Sequence, residues 1–93
     1  MIRRFRDKDT TRLFAREPVR RWSSELQHVA LRKVRMLDAA MTLDDLRIPP
    51  ANRLEKLRGD RRGQWSIRVN DQWRICFAWE GADARDVELV DYH

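Results

Sequence analysis

The last three residues of the chain, Asp91, Tyr92 and His93, place a carboxylate, a phenol and an imidazole in consecutive positions. Histidine has an ordinary pKa of about 6.5, so it can give or take a proton near neutral pH, and it is the commonest general acid or base. The ends of chains are also often frayed and chemically silent. The tripeptide therefore indicates acid–base chemistry only if the fold holds it in place.

A second group of candidates is cationic. Arg74 lies within an alternating run, so a strand should hold it rigidly, and a fixed guanidinium suits bidentate contact with a phosphate. The other candidates for contact with a polyanion are Lys56, Arg58, Arg61, Arg62 and Arg68. For a single loop arginine, a solvated turn is the simpler interpretation.

Glu55 is the third candidate, because it stands at the start of this basic segment. A carboxylate at this position could accept a proton in a reaction, or it could form an ordinary ion pair with a neighbouring arginine. From the residues alone, the ion pair is favoured.

The composition predicts a single domain, residues 1–93, with a basic surface. Twenty Lys and Arg against fifteen Asp and Glu give a net charge of +5, which suggests nucleic acid or an acidic protein as partner. One cysteine excludes an internal disulfide, and no apolar run reaches the ~20 residues of a membrane span. We therefore expect a cytoplasmic protein without membrane contact. Cysteine and histidine are too scattered for a zinc site, so no metal and no cofactor is expected.

The elements that must position these side chains centre on a hairpin at residues 63–79. Apolar residues occupy alternate positions in two runs, which predicts two strands with one apolar face. These residues are Trp65, Ile67 and Val69, then Trp73, Ile75, Phe77 and Trp79. Asn70 and Asp71 tolerate the turn between the runs. The opposite face carries Arg68 and Arg74, and we expect function there.

Two helices are expected before the hairpin, to cover its apolar face. Asp7 or Asp9 can cap the first helix, and Pro18 predicts its end at residues 17–18. Residues 24–27 have the capping-box pattern S-x-x-Q, which opens a longer helix. Its apolar stripe consists of Leu26, Val29, Ala30, Val34, Leu37 and Met41, with Arg32, Lys33 and Arg35 toward solvent or at its border.

The remaining segments predict short strands and one helical turn. Residues 2–5 favour a first strand near a sheet edge, residues 53–58 a short strand and residues 85–92 the last strand. Leu43 and Leu46 fit a short helical turn. The predicted class is α+β, with two N-terminal helices packed on one face of a curved, mostly antiparallel sheet of about five strands.

Three motifs together resemble the HigB toxins, also called plasmid maintenance system killer proteins, within the RelE/ParE superfamily. They are LRGDRRGQWSI at residues 57–67, NDQWRICF at residues 70–77 and DYH at residues 91–93. The opening residues 2–5 and KVRMLDA at residues 33–39 extend the likeness over nearly the whole chain. The resemblance implies a small α+β fold of the RelE/ParE kind. It also implies that the protein is the toxin of a type II toxin–antitoxin system.

The resemblance also implies an activity, partners and site residues. Such toxins are ribosome-dependent endoribonucleases that cut mRNA without a metal. The implied partners are a HigA-type antitoxin, the ribosome with its mRNA, and operator DNA only through the antitoxin complex. The final tripeptide matches the catalytic cluster of the family, Arg74 matches an arginine of its groove, and Lys56, Arg58 and the Arg61-Arg62 loop match its basic rim. Some relatives carry a catalytic histidine where this chain has Glu55, whereas other members of the superfamily use a glutamate as base.

In the implied reaction the 2′-hydroxyl of the RNA attacks the adjacent phosphate. Either Glu55 or Asp91 would be the base, and Arg74 would stabilise the developing charge. His93 would be the acid, and Tyr92 would orient the phosphate or stack on a base. Two alternatives stay open: a ParE-like toxin that inhibits gyrase, and a basic module that binds nucleic acid without catalysis.

Overall fold

A computed structural model describes residues 1–92 as two α-helices and a four-stranded antiparallel sheet. The helices are α1 (Lys8–Phe14) and α2 (Ser24–Ala39), and the strands are β1 (Glu55–Lys56), β2 (Gln64–Arg68), β3 (Trp73–Glu80) and β4 (Asp83–Asp91). Short 3₁₀ turns lie at Leu43–Arg47, Pro50–Asn52 and Gly59–Arg61. The strands are hydrogen-bonded in chain order, β1-β2-β3-β4. The predicted class is confirmed, and so is the helical turn at Leu43 and Leu46.

The sheet has one strand fewer than the sequence predicts. Residues 2–5 lie beside β4, but they make only two isolated parallel bridges, from Ile2 to Ala84 and from Phe5 to Val87. Between these bridges β4 is irregular, because Asp86 has a φ of +53° and the register with β3 shifts there. A bulged strand cannot offer a continuous ladder to its neighbour. The strand predicted over residues 53–58 is likewise only two residues long, at β1.

Helix α1 begins after Asp7, whose Oδ2 accepts a hydrogen bond from the backbone N–H of Thr10 at 3.3 Å. Of the two predicted caps, Asp7 is therefore the correct one and Asp9 is not. Pro18 predicts an end at residues 17–18, whereas the helix stops at Phe14. The chain turns earlier because Arg16 is left-handed, with a φ of +65°.

Helix α2 is capped by Ser23, whose Oγ accepts a hydrogen bond from the N–H of Leu26 at 3.1 Å. The predicted capping box at residues 24–27 is thus wrong by one residue. Gln27 serves a different purpose, since its Nε2 donates to the carbonyl of Trp22 at 2.7 Å and its Oε1 accepts from the N–H of Val19 at 3.0 Å. These bonds close the loop that precedes the helix.

The core lies between the helices and one face of the sheet. Its buried members from α2 and the strands include Leu26, Ala30, Val34, Leu37, Ile67, Val69, Ile75, Phe77, Val87 and Leu89. Burying large side chains of this kind stabilises the fold by roughly 1.5–3 kcal/mol each. Two members of the predicted pattern of α2 differ: Met41 is 76% exposed because the helix ends before it, and Lys33 is buried instead of facing solvent. Within the described residues, no helix is long and apolar enough to cross a membrane.

Candidate active site

The pairing of the strands determines which side chains share the sheet face opposite the helices, here called the Arg74 face. Residues that pair across neighbouring strands point to the same side of a sheet. One row of paired residues is Glu55, Ser66, Cys76 and Glu88, and the next row is Arg68, Arg74 and Val90. Alternation along the chain returns Tyr92 to the same side as Val90. The prediction that Arg68 and Arg74 share a face agrees with this register.

Arg74 lies at the centre of this face and is only 8% exposed. Its Nε donates a hydrogen bond to Ser66 Oγ at 2.7 Å, and its Nη2 donates to the carbonyl oxygen of Arg53 at 2.5 Å. Its Nη1 lies 4.0 Å from Glu55 Oε1. The guanidinium is therefore fixed by neutral acceptors on two sides, and its remaining nitrogen faces a carboxylate.

Tyr92 completes the cluster. The Cζ of Arg74 lies 6.0 Å from the centre of the Tyr92 ring, and the residue is 38% exposed. The backbone N–H of Tyr92 donates to the carbonyl of Gln72 at 2.8 Å, which ties this part of the chain to the turn between β2 and β3. A carboxylate, a guanidinium and an aromatic ring therefore meet on one accessible surface. His93 lies outside the described residues.

Two predicted site residues lie on the other side of the sheet. Asp91 pairs with Trp73, and Lys56 pairs with Trp65, so both point toward the helix side. Gln72 Nε2 donates to Asp91 Oδ2 at 2.9 Å, and Lys56 Nζ lies 6.0 Å from the centre of the Trp65 ring. The structure does not bring these two side chains together with Arg74. The same alternation that places Glu88 and Val90 on the Arg74 face separates Asp91 from Tyr92.

Glu88 is a residue of the Arg74 face that sequence reasoning did not single out as a site residue. Its Oε1 lies 2.7 Å from Arg61 Nη1, and its Oε2 lies 3.5 Å from Arg6 Nε. Partial burial is the largest single influence on the pKa of Arg61 and lowers it, but the contact with Glu88 and the nearby Cys76 and Tyr92 together outweigh burial, so that pKa is raised overall. The signal for Glu88 was its place between the apolar residues Val87 and Leu89, which puts it on the opposite face of the sheet from them, the Arg74 face.

The predicted cations beside the site differ in their freedom. Arg61 is held by Glu88 and by Gln64, whose Oε1 accepts from Arg61 Nη1 at 3.1 Å. Arg68 forms an ion pair with Asp71. Arg58 and Arg62 are exposed, and within residues 1–92 neither forms an ion pair. Among the predicted arginines, these two are therefore the most accessible to a polyanion, and together they are called the basic rim below.

Cys76 is packed beneath the cluster and is fully buried. Burial raises the pKa of its thiol, and this effect prevails over the opposing influence of Arg61 and Arg74. A neutral, inaccessible thiol is not a nucleophile. Among the described residues, no group of three or more His, Cys, Asp or Glu side chains could hold a metal ion.

A family model described as "RelE-like toxin of type II toxin-antitoxin system HigB" matches residues 3–93. The chain belongs to this family. The resemblance to the HigB toxins is thereby confirmed.

Two curated relatives carry related names. This HigB-like chain is 50% identical over 56 residues to Toxin HigB-1 of Vibrio cholerae serotype O1, an alignment that spans 60% of the chain and 59% of that protein. It is 46% identical over 41 residues to Endoribonuclease HigB of Proteus vulgaris, spanning 44% of the chain and 45% of that relative. The chain thus matches about three fifths of the length of the first relative and less than half of the second.

Two solved structures share the fold. YafQ from E. coli strain BL21(DE3) superimposes with a TM-score of 0.59 at 12% identity, covering 98% of this chain and 91% of YafQ. A chain of the YoeB-YefM complex from Staphylococcus aureus gives a TM-score of 0.58 at 12% identity, covering 100% and 98%. At this identity the likeness concerns the fold alone, and it agrees with the predicted RelE/ParE-like architecture.

Proposed function

We propose that this HigB-like toxin is a ribosome-dependent endoribonuclease that cleaves mRNA and stops translation. The observation that carries the proposal is the meeting of Glu55, Arg74 and Tyr92 on one face, with Arg74 held 4.0 Å from the carboxylate and 6.0 Å from the ring. Cleavage of a phosphodiester requires a base, a fixed cation and a means of orienting the nucleotide, and these three side chains supply them. The name of the Proteus relative, Endoribonuclease HigB, supports the same activity.

The reaction is an attack of the ribose 2′-hydroxyl on the adjacent phosphorus. Glu55 removes the proton of that hydroxyl while the new O–P bond forms. The guanidinium of Arg74 stabilises the added negative charge on the phosphate oxygens, because a rigid, largely buried cation is worth more than a solvated one. The bond to the 5′-oxygen then breaks, leaving a 2′,3′-cyclic phosphate and a 5′-hydroxyl. His93 is assigned by its residue type to protonate the leaving oxygen.

Glu55 is a better candidate for the base than Asp91. Its carboxylate lies on the Arg74 face and is about half exposed, so a substrate hydroxyl can reach it. Asp91 points toward the helix side, where Gln72 binds its Oδ2. A base must lie within hydrogen-bonding reach of the proton that it removes. The sequence leaves open whether Glu55 or Asp91 is the general base, and the geometry favours Glu55.

The ribosome is proposed to complete the site. Glu55 has 54% of its side chain exposed and Tyr92 is 38% exposed, so the cluster is an open surface instead of a deep cleft. Such a surface cannot by itself hold a flexible RNA strand in the geometry of in-line attack. A ribosome that presents mRNA in a fixed conformation would supply the missing constraint. A toxin that acts on ribosomes would work in the cytoplasm, which is the localisation proposed for it.

A HigA-type antitoxin is the proposed inhibitor, since the family is defined by its type II toxin–antitoxin system. The structural neighbour from Staphylococcus aureus is a chain of the YoeB-YefM complex, which is consistent with a protein of this fold binding a partner protein. The complex, and not the free toxin, would bind operator DNA.

The test is cleavage by the purified toxin of mRNA on programmed ribosomes, with 5′ ends mapped by primer extension. The wild type should cut ribosome-bound mRNA, and Glu55→Gln should lower kcat by roughly 100-fold or more, as expected for loss of a general base. Glu80→Gln is the matched control, because Glu80 is an exposed carboxylate at the end of β3.

Three results would contradict the proposal. Fast cleavage of naked mRNA would remove the need for the ribosome. Full activity of Glu55→Gln would show that this carboxylate is not the base. DNA breakage without loss of mRNA would favour the gyrase-inhibiting alternative, and salt-sensitive binding without a product would favour the non-catalytic one.

A further inference from the structure

Lys33 is a buried lysine on the helix side of the sheet, and its partner is a neutral amide. The residue is only 7% exposed and lies near the middle of α2, where Ala30, Val34 and Leu37 are also buried. Its Nζ donates a hydrogen bond to Asn52 Oδ1 at 2.6 Å. A buried ammonium is costly unless it is hydrogen-bonded, so this contact is a strong constraint on both residues.

Asn52 belongs to the short turn Pro50–Asn52 and is fully buried. Besides accepting from Lys33, its side chain donates through Nδ2 to the carbonyl of Leu46 at 3.1 Å, and its backbone N–H donates to the carbonyl of Pro49 at 3.0 Å. Its Nδ2 also donates to Met36 Sδ of α2 at 3.0 Å. The turn is therefore attached to α2 by two hydrogen bonds, of which only the one from Lys33 involves a charged group, and to the preceding 3₁₀ turn by a third.

The next residue, Arg53, connects this turn with the Arg74 face of the sheet. Its backbone is left-handed, with φ 43° and ψ 59°, a conformation that a non-glycine residue keeps only where its surroundings hold it. In this conformation its carbonyl oxygen accepts the hydrogen bond from Arg74 Nη2 at 2.5 Å. The segment at residues 50–53 thus connects the helix side with the guanidinium of the candidate active site.

We propose that Lys33 is a positioning residue of the toxin: through Asn52 it holds the turn whose Arg53 carbonyl orients the guanidinium of Arg74. Lys33 touches no substrate and acts only through these groups. The inference rests on the proposed function, in which Arg74 stabilises the charge on the phosphate. It goes beyond that function by assigning part of the orientation of the site to the packing of α2.

The kinetic test compares Lys33→Met, which keeps the length and apolar stem of the side chain, with Arg32→Met on the same helix. Arg32 is exposed, so its loss removes the same charge without touching the turn. Because a small misplacement of a catalytic group is costly, Lys33→Met should lower kcat by about 10-fold or more. Its KM for programmed ribosomes should stay within about twofold of the wild type, because the basic rim is intact. Arg32→Met should leave kcat unchanged.

A double-mutant cycle distinguishes positioning from general damage. In an Arg74→Lys background the fork that contacts the Arg53 carbonyl is already gone, so adding Lys33→Met should cause little further loss of kcat. Non-additivity of this kind is the signature of residues that act as one unit. If the two losses multiply, or if folded Lys33→Met has the kcat of the wild type, the inference is wrong.

A second readout does not depend on activity. The Nε–H resonance of Arg74 in a nitrogen–proton NMR spectrum reports the environment of the guanidinium directly. It should shift or broaden in Lys33→Met and stay in place in Arg32→Met, and an unchanged resonance in both would overturn the inference. If Lys33→Met does not fold, Lys33→Gln, which keeps a donor on a shorter side chain, replaces it in both measurements. If the wild type fails to cleave mRNA, the proposed function fails, while the NMR comparison still decides the role of Lys33.

Discussion

Substitutions of Tyr92 can separate the role of its aromatic ring from that of its hydroxyl. Its ring lies against the guanidinium of Arg74 and its hydroxyl is not needed for that contact, so we infer that the ring is a platform for a base of the RNA. Stacking of a base on an aromatic side chain contributes about 1–3 kcal/mol. Tyr92→Ala should therefore raise the KM for programmed ribosomes by roughly 5- to 150-fold.

Tyr92→Phe is the control, because it keeps the ring and removes only the hydroxyl. It should retain nearly the full cleavage rate. A loss in Tyr92→Phe as large as that in Tyr92→Ala would show that the hydroxyl takes part in the chemistry, and the platform would be the wrong description. Both variants should unfold at the wild-type urea concentration, since Tyr92 contributes little to the core.

For single residues, the sequence predicts which side chains share a face of the sheet, but it does not predict their hydrogen-bond partners. Alternation alone identified Arg74 and Arg68 as neighbours on the side away from the tryptophans. Applied one step further, it would have separated Asp91 from Tyr92. The acceptors of Arg74 could not be predicted, because the carbonyl of Arg53 belongs to a left-handed turn that no side-chain pattern marks.

Among the elements, α2 carries both the core and the support of the site, so its start matters. Ser23 caps it through Leu26, whereas the neighbouring Ser24 is the first residue of the helix. Ser23→Ala should lower the free energy of unfolding by about 1 kcal/mol, and Ser24→Ala should change it much less, since alanine is a good residue inside a helix. Urea unfolding followed by circular dichroism measures both. If both variants lose the same free energy of unfolding, or if Ser24→Ala loses more, then Ser24 is the cap, as the predicted capping box has it.

Periodicity predicted the elements whose residues are buried on one side, and it failed where an element has two buried sides or ends early. The hairpin and α2 follow their apolar patterns closely. The apolar stripe of α2 leaves Lys33 toward solvent or at the border of the stripe, yet Asn52, 19 residues further along, supplies a partner that allows it to be buried. The irregular β4 could not be foreseen either, since Asp86 adopts its left-handed backbone within an otherwise regular strand pattern.

In the whole molecule, the two faces of the sheet have different tasks. The helix side buries the large apolar side chains, and that burial keeps β2 and β3 rigid. The Arg74 face uses that rigidity, because its buried polar residues are held by the same strands at their alternate positions. A domain of this size has little stability in reserve. Substitutions in the core are therefore expected to reduce activity through unfolding, whereas those at the basic rim should act on binding alone.

Two double variants can separate the effect of the net charge on ribosome binding from the effect of the basic rim. Arg58 and Arg62, the basic rim, have no ion pair within residues 1–92, whereas Arg3 and Arg4 are exposed but paired with Asp83 and Asp86 at 3.0 Å. The double variants Arg58→Gln/Arg62→Gln and Arg3→Gln/Arg4→Gln remove the same charge. Only the first should weaken binding to programmed ribosomes, and it should reduce the slope of log affinity against log salt by about 1–2, since each lost phosphate contact removes about 1.

The cleavage step should respond differently from binding in the same comparison. Because neither rim arginine touches the cluster of Glu55, Arg74 and Tyr92, the kcat of Arg58→Gln/Arg62→Gln should match that of the wild type at saturating ribosomes. Equal loss of affinity in both double variants would mean that ribosome binding follows the total charge of +5. A loss of kcat confined to the rim variant would place Arg58 or Arg62 in the transition state, where a cation contributes to the rate and not only to attachment.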